Sequence, residues 1–210
     1  MIGTIPHEIT AVSTLERLSL FANSVFGSIP AGISELSSLI LLDLEQNLIS
    51  GSVVPASITS MTNLIAYRIS DNGVTGEIPT GIASLTNLEQ LWLAKNPLTG
   101  TLPSEIGSLT NLESLFLYEN GLGGSLPSEI GALSNLIDLR LYNNLFQENL
   151  PTQIFSLGEM RSLRLELNFF SGFIPSEVGL LTSLEDLRLS FNSFTGSIPS
   201  EVGSLAMLGT

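Results

Sequence analysis

The sequence contains no cysteine, which removes disulfides, thiolate metal sites and cysteine nucleophiles at once. Basic residues are scarce: seven Lys and Arg stand against twenty Asp and Glu, for a net charge of −13. Nucleic-acid binding needs clustered positive charge, so this balance argues against it. There is one histidine, His7, too few for a His-based metal or acid–base centre, and its place in the repeat reads as a solvent-exposed helix side. Long apolar runs are absent: Leu39-Ile40-Leu41-Leu42 ends at Asp43, far short of the roughly 18 residues of a membrane-spanning helix. This segment is therefore not expected to contact a membrane. No Asn-x-Ser/Thr sequon occurs, and the start, Met1-Ile2-Gly3-Thr4-Ile5-Pro6, lacks the basic and apolar regions of a signal peptide. No nucleophile elbow, phosphate-binding loop or zinc-protease motif is present, so the chain predicts no catalytic residue, no metal and no cofactor.

What is present is a period. Leu88-x-x-Leu91-x-Leu93-x-x-Asn96 repeats as Leu112-x-x-Leu115-x-Leu117-x-x-Asn120, 24 residues on. Asn23, Asn47, Asn72, Asn96, Asn120, Asn144, Asn168 and Asn192 mark the copies, and the prolines at 30, 55, 79, 103, 127, 151, 175 and 199 keep step with them. A period of this size predicts a solenoid whose repeats share one core. The repeats run approximately 1–14 (partial), 15–38, 39–63, 64–87, 88–111, 112–135, 136–159, 160–183 and 184–207, in one unit expected to be incomplete at both ends. Within each, Leu-x-x-Leu-x-Leu reads as a short strand with leucines facing the core and the residues between them facing out. The asparagine, a donor and acceptor placed where the strand must turn, is expected to satisfy backbone groups of its own and the next coil. The glycine four residues later allows a backbone closed to other residues. The Ser-Glu-Ile-Gly-x-Leu stretch has room for one short helical turn, and Ser followed by Glu suits its start.

The string Asn-x-Leu-x-Gly-x-Ile-Pro after Leu-x-x-Leu-x-Leu resembles the plant-type leucine-rich repeat. That class is found in receptor-like kinase ectodomains, receptor-like proteins and polygalacturonase-inhibiting proteins, with algal arrays of similar wording. The resemblance covers essentially the whole chain. It implies an α/β solenoid, a right-handed superhelix with a concave parallel sheet of about eight short strands, short 3-10 turns on the convex side, and ligand recognition by the sheet. Three departures interrupt the pattern. One extra residue at Val53-Val54 makes the Asn47–Asn72 spacing 25, Glu148 stands where the glycine belongs, and Gly158-Glu159-Met160 replaces the polar-Asn-Leu step.

The outward positions of the strands carry the functional reading. Trp92, Phe116, Tyr118 and Tyr142 are expected to form one patch across three strands, and tryptophan, tyrosine and arginine are the residue types enriched at binding hot spots; stacking that merely stabilises the sheet is the alternative. Arg68, Arg140, Arg164 and Arg188 fall in one column. The three latter read either as an anion-binding row or as a ladder neutralised by Asp138, Glu166 and Asp186. All seven basic residues lie in strand segments, leaving back and flanks acidic. These positions predict a non-enzymatic module that binds a protein or peptide, or a glycan, as part of a longer extracellular or cell-surface receptor-like chain in signal transduction; a cytoplasmic setting is the alternative. A free-standing inhibitor of a secreted enzyme is a second reading. A structural or ice-facing role for the hydroxyl row Ser50, Thr75, Thr99, Ser171 and Thr195 is a third. The family's Arg-x-Arg pair for a peptide carboxylate does not occur.

Overall fold

The computed structural model describes residues 1–209 as an α/β solenoid. Eight three-residue strands, from Arg17–Ser19, Leu41–Asp43, Ala66–Arg68 and Gln90–Trp92 to Ser114–Phe116, Asp138–Arg140, Ser162–Arg164 and Asp186–Arg188, pair in parallel as one sheet on the concave side. The register puts like positions side by side: Arg68 beside Trp92, Trp92 beside Phe116, Arg140 beside Arg164. Strand alternation then sends Leu91, Leu93, Leu115, Leu117, Leu139 and Leu141 inward, all fully buried.

The turn after each strand depends on the asparagine row. The Asn120 amide donates to the carbonyls of Leu117 (2.9 Å), Tyr118 (3.3 Å) and, one coil back, Leu93 (3.1 Å). Its Oδ1 accepts from the Leu98 N–H at 3.2 Å. The same four bonds recur at Asn47, Asn72, Asn96, Asn144, Asn168 and Asn192. Asn23 bonds the Leu20 and Phe21 carbonyls and the Met1 amine. Each side chain thus reaches the preceding coil, not the next one the sequence suggests, because the carbonyl it must satisfy lies at the end of the previous strand. The residue before every ladder asparagine takes left-handed backbone, from Ala22 (φ 55°) to Phe191 (φ 55°). Sequence gives no hint of this, since Gln46, Lys95, Leu167 and Phe191 are types that avoid it.

A second layer of parallel strands flanks the first, and the sequence reading did not anticipate it. Ile2–Gly3, Ser24–Gly27, Leu48–Ser52 and Gly73–Thr75 form one four-stranded sheet; Gly123–Ser125, Leu145–Asn149, Phe169–Phe173 and Ser193–Thr195 form another. Only isolated bridges join them, Gly76 to Leu98 and Thr101 to Gly123. The break has a chemical cause. Gly121 and Leu145 donate their N–H to the preceding coil at Leu98 and Leu122, and the matching position one repeat earlier is Pro97, which has no N–H to give. Beneath this layer Phe146, Phe170 and Phe194 stack, with centroids 5.9 and 6.5 Å apart.

Each convex turn is a five-residue 3-10 helix such as Ser104–Ser108, entered from a proline held at φ near −70°. Only Ala56–Thr59 is an α turn. Proline, not serine, takes the cap position, and no side chain caps it; Ser104 instead donates to the adjacent Glu105 carboxylate at 3.2 Å. A second, exposed asparagine row ties these turns together: Asn63, Asn87, Asn111 and Asn135 donate to the carbonyls of Ser37, Thr62, Thr86 and Thr110 at 2.9–3.0 Å. The extra residue at 53–54 turns inward. Val53 and Val54 are both buried, and Tyr67, in a leucine position, donates its hydroxyl to the Val53 carbonyl at 2.6 Å. Burial pushes that hydroxyl's pKa well above its ordinary value.

Two stability outcomes follow from this geometry. Asn120→Ala strands the buried Leu98 N–H and removes one of two donors from the Leu93, Leu117 and Tyr118 carbonyls, and is expected to cost about 1–3 kcal/mol, whereas Glu105→Ala, partly exposed on the acidic convex face, is expected to stay within about 0.5 kcal/mol; equal urea midpoints contradict the ladder. Glu148 sits at φ 68° where its counterparts are glycine. Glu148→Gly is therefore expected to raise stability by about 1 kcal/mol, and a lower midpoint shows that its side chain does more than occupy a strained turn.

Candidate recognition face

The concave strands carry their outward side chains at fixed spacing, so neighbouring repeats bring those side chains into contact. Trp92 and Phe116 stack with centroids 4.9 Å apart and planes 17° from parallel. Tyr118 and Tyr142 stack at 4.5 Å and 9°, and Phe116 meets Tyr118 at 6.3 Å and a 50° tilt. The four aromatics are one continuous patch. Arginines close its ends and seams: Arg68 lies 4.2 Å over Trp92, Arg140 4.5 Å over Phe116 and Arg164 4.4 Å over Tyr142. Trp92, Phe116 and Tyr142 are therefore covered on both faces by the strands before and after them. Only ring edges and hydroxyls remain open. The Trp92 indole N–H is itself turned to the Ser114 hydroxyl at 2.8 Å. Burial raises the Tyr142 pKa, with the neighbouring Tyr118 acting in the same direction, so the hydroxyl stays a neutral donor through the physiological range.

The arginine column is neutralised residue by residue. Arg140 pairs with Asp138 at 2.6 Å, Arg164 with Glu166 at 2.7 Å, and Arg188 with Asp186 at 3.0 Å. Each acid lies two residues away in sequence, Asp138 and Asp186 within the strand and Glu166 just past its end, where alternation returns the side chain to the same face. The hydrogen bond that Arg140 donates to Asp138 raises the Arg140 pKa, as the bond donated to Asp186 does for Arg188. Arg68 bonds Gln90 and stands 3.8 Å from Asp43. Nearby Glu45 has its pKa raised, first by burial and then by Asp43, against the lowering effect of its hydrogen bond from Ser70. Among the described residues no cluster of His, Asp and Glu converges as a metal site, and no helix is long and apolar enough to cross a membrane. His7 is exposed at the head of its turn. The hydroxyl row lies on the flank, with three members engaged: Ser50, Thr75 and Thr195 donate to the carbonyls of Gly27, Gly51 and Gly172.

The leucine-rich repeat family profile matches residues 87–109, 111–133 and 183–205. The fold, ladder and profile agree. These segments are leucine-rich repeats, and the chain as a whole resembles plant leucine-rich repeat receptor ectodomains. Solved structures extend the match along the solenoid. The ectodomain of the receptor kinase GASSHO1/SCHENGEN3 from Arabidopsis thaliana, in complex with CASPARIAN STRIP INTEGRITY FACTOR 2, is 34% identical with a TM-score of 0.87, the match covering 99% of this chain and 28% of that one. A TDR receptor is 33% identical with a TM-score of 0.95, over 99% of this chain and 36% of that one. A plant ice-binding protein is 28% identical with a TM-score of 0.85, over 97% and 66%. This leucine-rich repeat chain spans about a third of the length of the two receptors. No curated protein matches by sequence.

The ion pairs differ in depth, and the difference is measurable. The Arg164 and Glu166 side chains are 21% and 10% exposed, against 63% and 47% for Arg161 and Glu185. Arg164→Ala leaves a buried carboxylate unpaired and is expected to cost about 3 kcal/mol, while Arg161→Ala is expected to cost about 0.5 kcal/mol. Matching thermal shifts for the two variants contradict the burial argument.

Proposed function

We propose that the concave sheet binds an extended peptide or protein segment, and that the chain is the non-enzymatic recognition part of a larger receptor-like protein acting outside the cell. The covered ring faces carry this reading. A sugar ring stacks on an aromatic face, and three of the four faces pairs are occupied by neighbours. Ring edges carry the positive part of the aromatic quadrupole. With the Tyr118 and Tyr142 hydroxyls and the arginine N–H groups, they form a strip of donors, which suits a row of peptide carbonyls and side-chain carboxylates better than a glycan. From Arg68 to Arg188 the strip crosses five strand gaps, about 24 Å at about 4.8 Å each, the length of roughly seven extended residues. The receptor ectodomain crystallised in complex with CASPARIAN STRIP INTEGRITY FACTOR 2 supports a ligand-binding role. The flank hydroxyls, bonded to backbone and interrupted by Gly123 and Gln147, lend less support to an ice-facing role.

The test selects binders from a displayed library of random peptides and measures them against variants. Tyr142→Phe keeps the stack and removes one donor. It is expected to weaken selected peptides about tenfold, or about 1.4 kcal/mol, with an unchanged melting temperature; Trp92→Ala is expected to weaken them further. Peptides that bind both variants at full strength place recognition elsewhere on the molecule and overturn the proposal.

A further inference from the structure

The corner where each coil leaves the concave sheet for the flank carries two columns of side chains. The first is the left-handed residue before each ladder asparagine, from Ala22 to Phe191. Backbone bonds from each of these residues to the next coil keep the column at strand spacing. The second column lies two residues further on, from Ser24 to Ser193. Large apolar side chains stand open in both: Leu48, Phe169 and Phe191 are 64%, 59% and 77% exposed. Leu167 and Phe191 also hold φ at 59° and 55°, which costs about 1–2 kcal/mol each. The turn does not need them, since Asn143, Glu119 and Lys95 fill the same place in earlier repeats. Exposed apolar side chains on strained backbone point to a use outside the fold.

The two columns complement themselves when reversed. Counted by ladder asparagine, eight repeats run from Asn23 to Asn192. A two-fold axis between the fourth and fifth sets the first repeat opposite the eighth of a second copy, the second opposite the seventh, and so on inward. Lys95 then meets Glu119 of the second copy, and Glu119 meets its Lys95. Lys95 is exposed and enters no ion pair among the described residues. Size matches in the same way: Phe191 falls on Ala22, Leu145 on Gly73 and Pro97 on Gly121. Leu145 faces a hollow of about 380 Å³ bounded by Leu48, Asp71 and Gly73. Leu48 faces one of about 310 Å³ between Leu145, Leu167, Phe169 and Phe191. No pair in either column sets like charges directly opposite each other.

We propose that this corner docks a second copy of the chain, the two solenoids lying antiparallel and flank to flank. A two-fold contact uses the same patch on both molecules, so it requires a patch complementary to its own reverse. An unrelated partner has no cause to follow that order. The chain's single lysine thus meets a partner acid twice across the contact, between two molecules that each carry −13. The corner spans seven strand gaps, about 34 Å, and is two side chains wide. It falls among the smaller specific interfaces, below about 1,200 Å² in total, and the dimer is accordingly weak, half formed at about 10–100 µM chain. The contact does not use the concave aromatic strip and stands whether or not that strip binds a peptide.

Sedimentation velocity of the whole chain, from about 5 to about 500 µM, is expected to show a monomer–dimer equilibrium. Lys95→Glu and Glu119→Lys each set like charges opposite each other at two places and are each expected to dimerise at least about tenfold more weakly. Both residue types already occur at this backbone position, so neither change strains the turn. Mixed in equal amounts, the two variants again oppose lysine to glutamate at both places and are expected to recover the dimer to within about twofold of the unmodified chain. Glu119→Lys also reduces the net negative charge, so repulsion between whole molecules predicts tighter association where the two-fold contact predicts weaker. Leu48→Ser and Phe169→Ser, at exposed sites, are expected to weaken the dimer at least about tenfold with the melting temperature unchanged. A chain that stays monomeric across the range, association that survives all four substitutions, or charge variants whose mixture fails to associate overturns the proposal.

Discussion

The carbonyls at the end of each concave strand need hydrogen-bond partners where the chain leaves the sheet, and the asparagine row supplies them. One side chain serves three carbonyls and one N–H across two coils. Net gains of about 1 kcal/mol per bond exceed the roughly 1–2 kcal/mol that a left-handed residue costs, which accounts for a non-glycine residue in that conformation before every ladder asparagine. Because each amide reaches back one coil, the row also fixes the rise between strands. The rings of the concave face meet at 4.5–4.9 Å as a consequence: their spacing is the strand spacing.

That dependence links fold to function. A sheet of rigid three-residue strands holds Arg68, Trp92, Phe116 and Arg140 in one column and Tyr118 and Tyr142 in the next. The stacked rings have few rotamers left to lose, so little entropy opposes binding. The same stacking closes both faces of Trp92, Phe116 and Tyr142, so in the proposed peptide reading the patch offers edges, hydroxyls and guanidinium groups. The rings stack as the stabilising reading expects, and the way they stack decides which chemistry they could offer a ligand. The arginines behave similarly, each neutralised by an acid two residues away and each still directing N–H groups outward.

Much of this was legible from periodicity. A 24-residue period with leucine at fixed offsets requires the solenoid, the parallel sheet and the direction of Trp92 and Tyr142, because strand parity leaves no other face for them. What escaped the sequence was set by backbone geometry between repeats. The flank sheet follows from how far each coil leans on the last, and its interruption from one missing N–H at Pro97. The reach of the asparagines to the preceding coil, proline rather than serine at the turn entrance, and the left-handed residues at Leu167 and Phe191 are invisible to propensity. The second asparagine row was legible: Asn63, Asn87, Asn111 and Asn135 recur at the same period. Tyr67 shows the opposite case, since only the fold reveals that its hydroxyl answers the carbonyl freed by the extra residue at Val53.

The central claim is that recognition proceeds through the exposed edges of a closed aromatic strip. Intermolecular NOEs between a selected peptide and the side chains of the chain test it most directly. The account predicts NOEs from successive peptide residues to edge protons of Trp92, Tyr118 and Tyr142, with ring-to-ring contacts within the strip preserved. NOEs confined to the flank sheet or the convex turns, or peptide contacts that require the Trp92–Phe116 and Tyr118–Tyr142 stacks to open, contradict it.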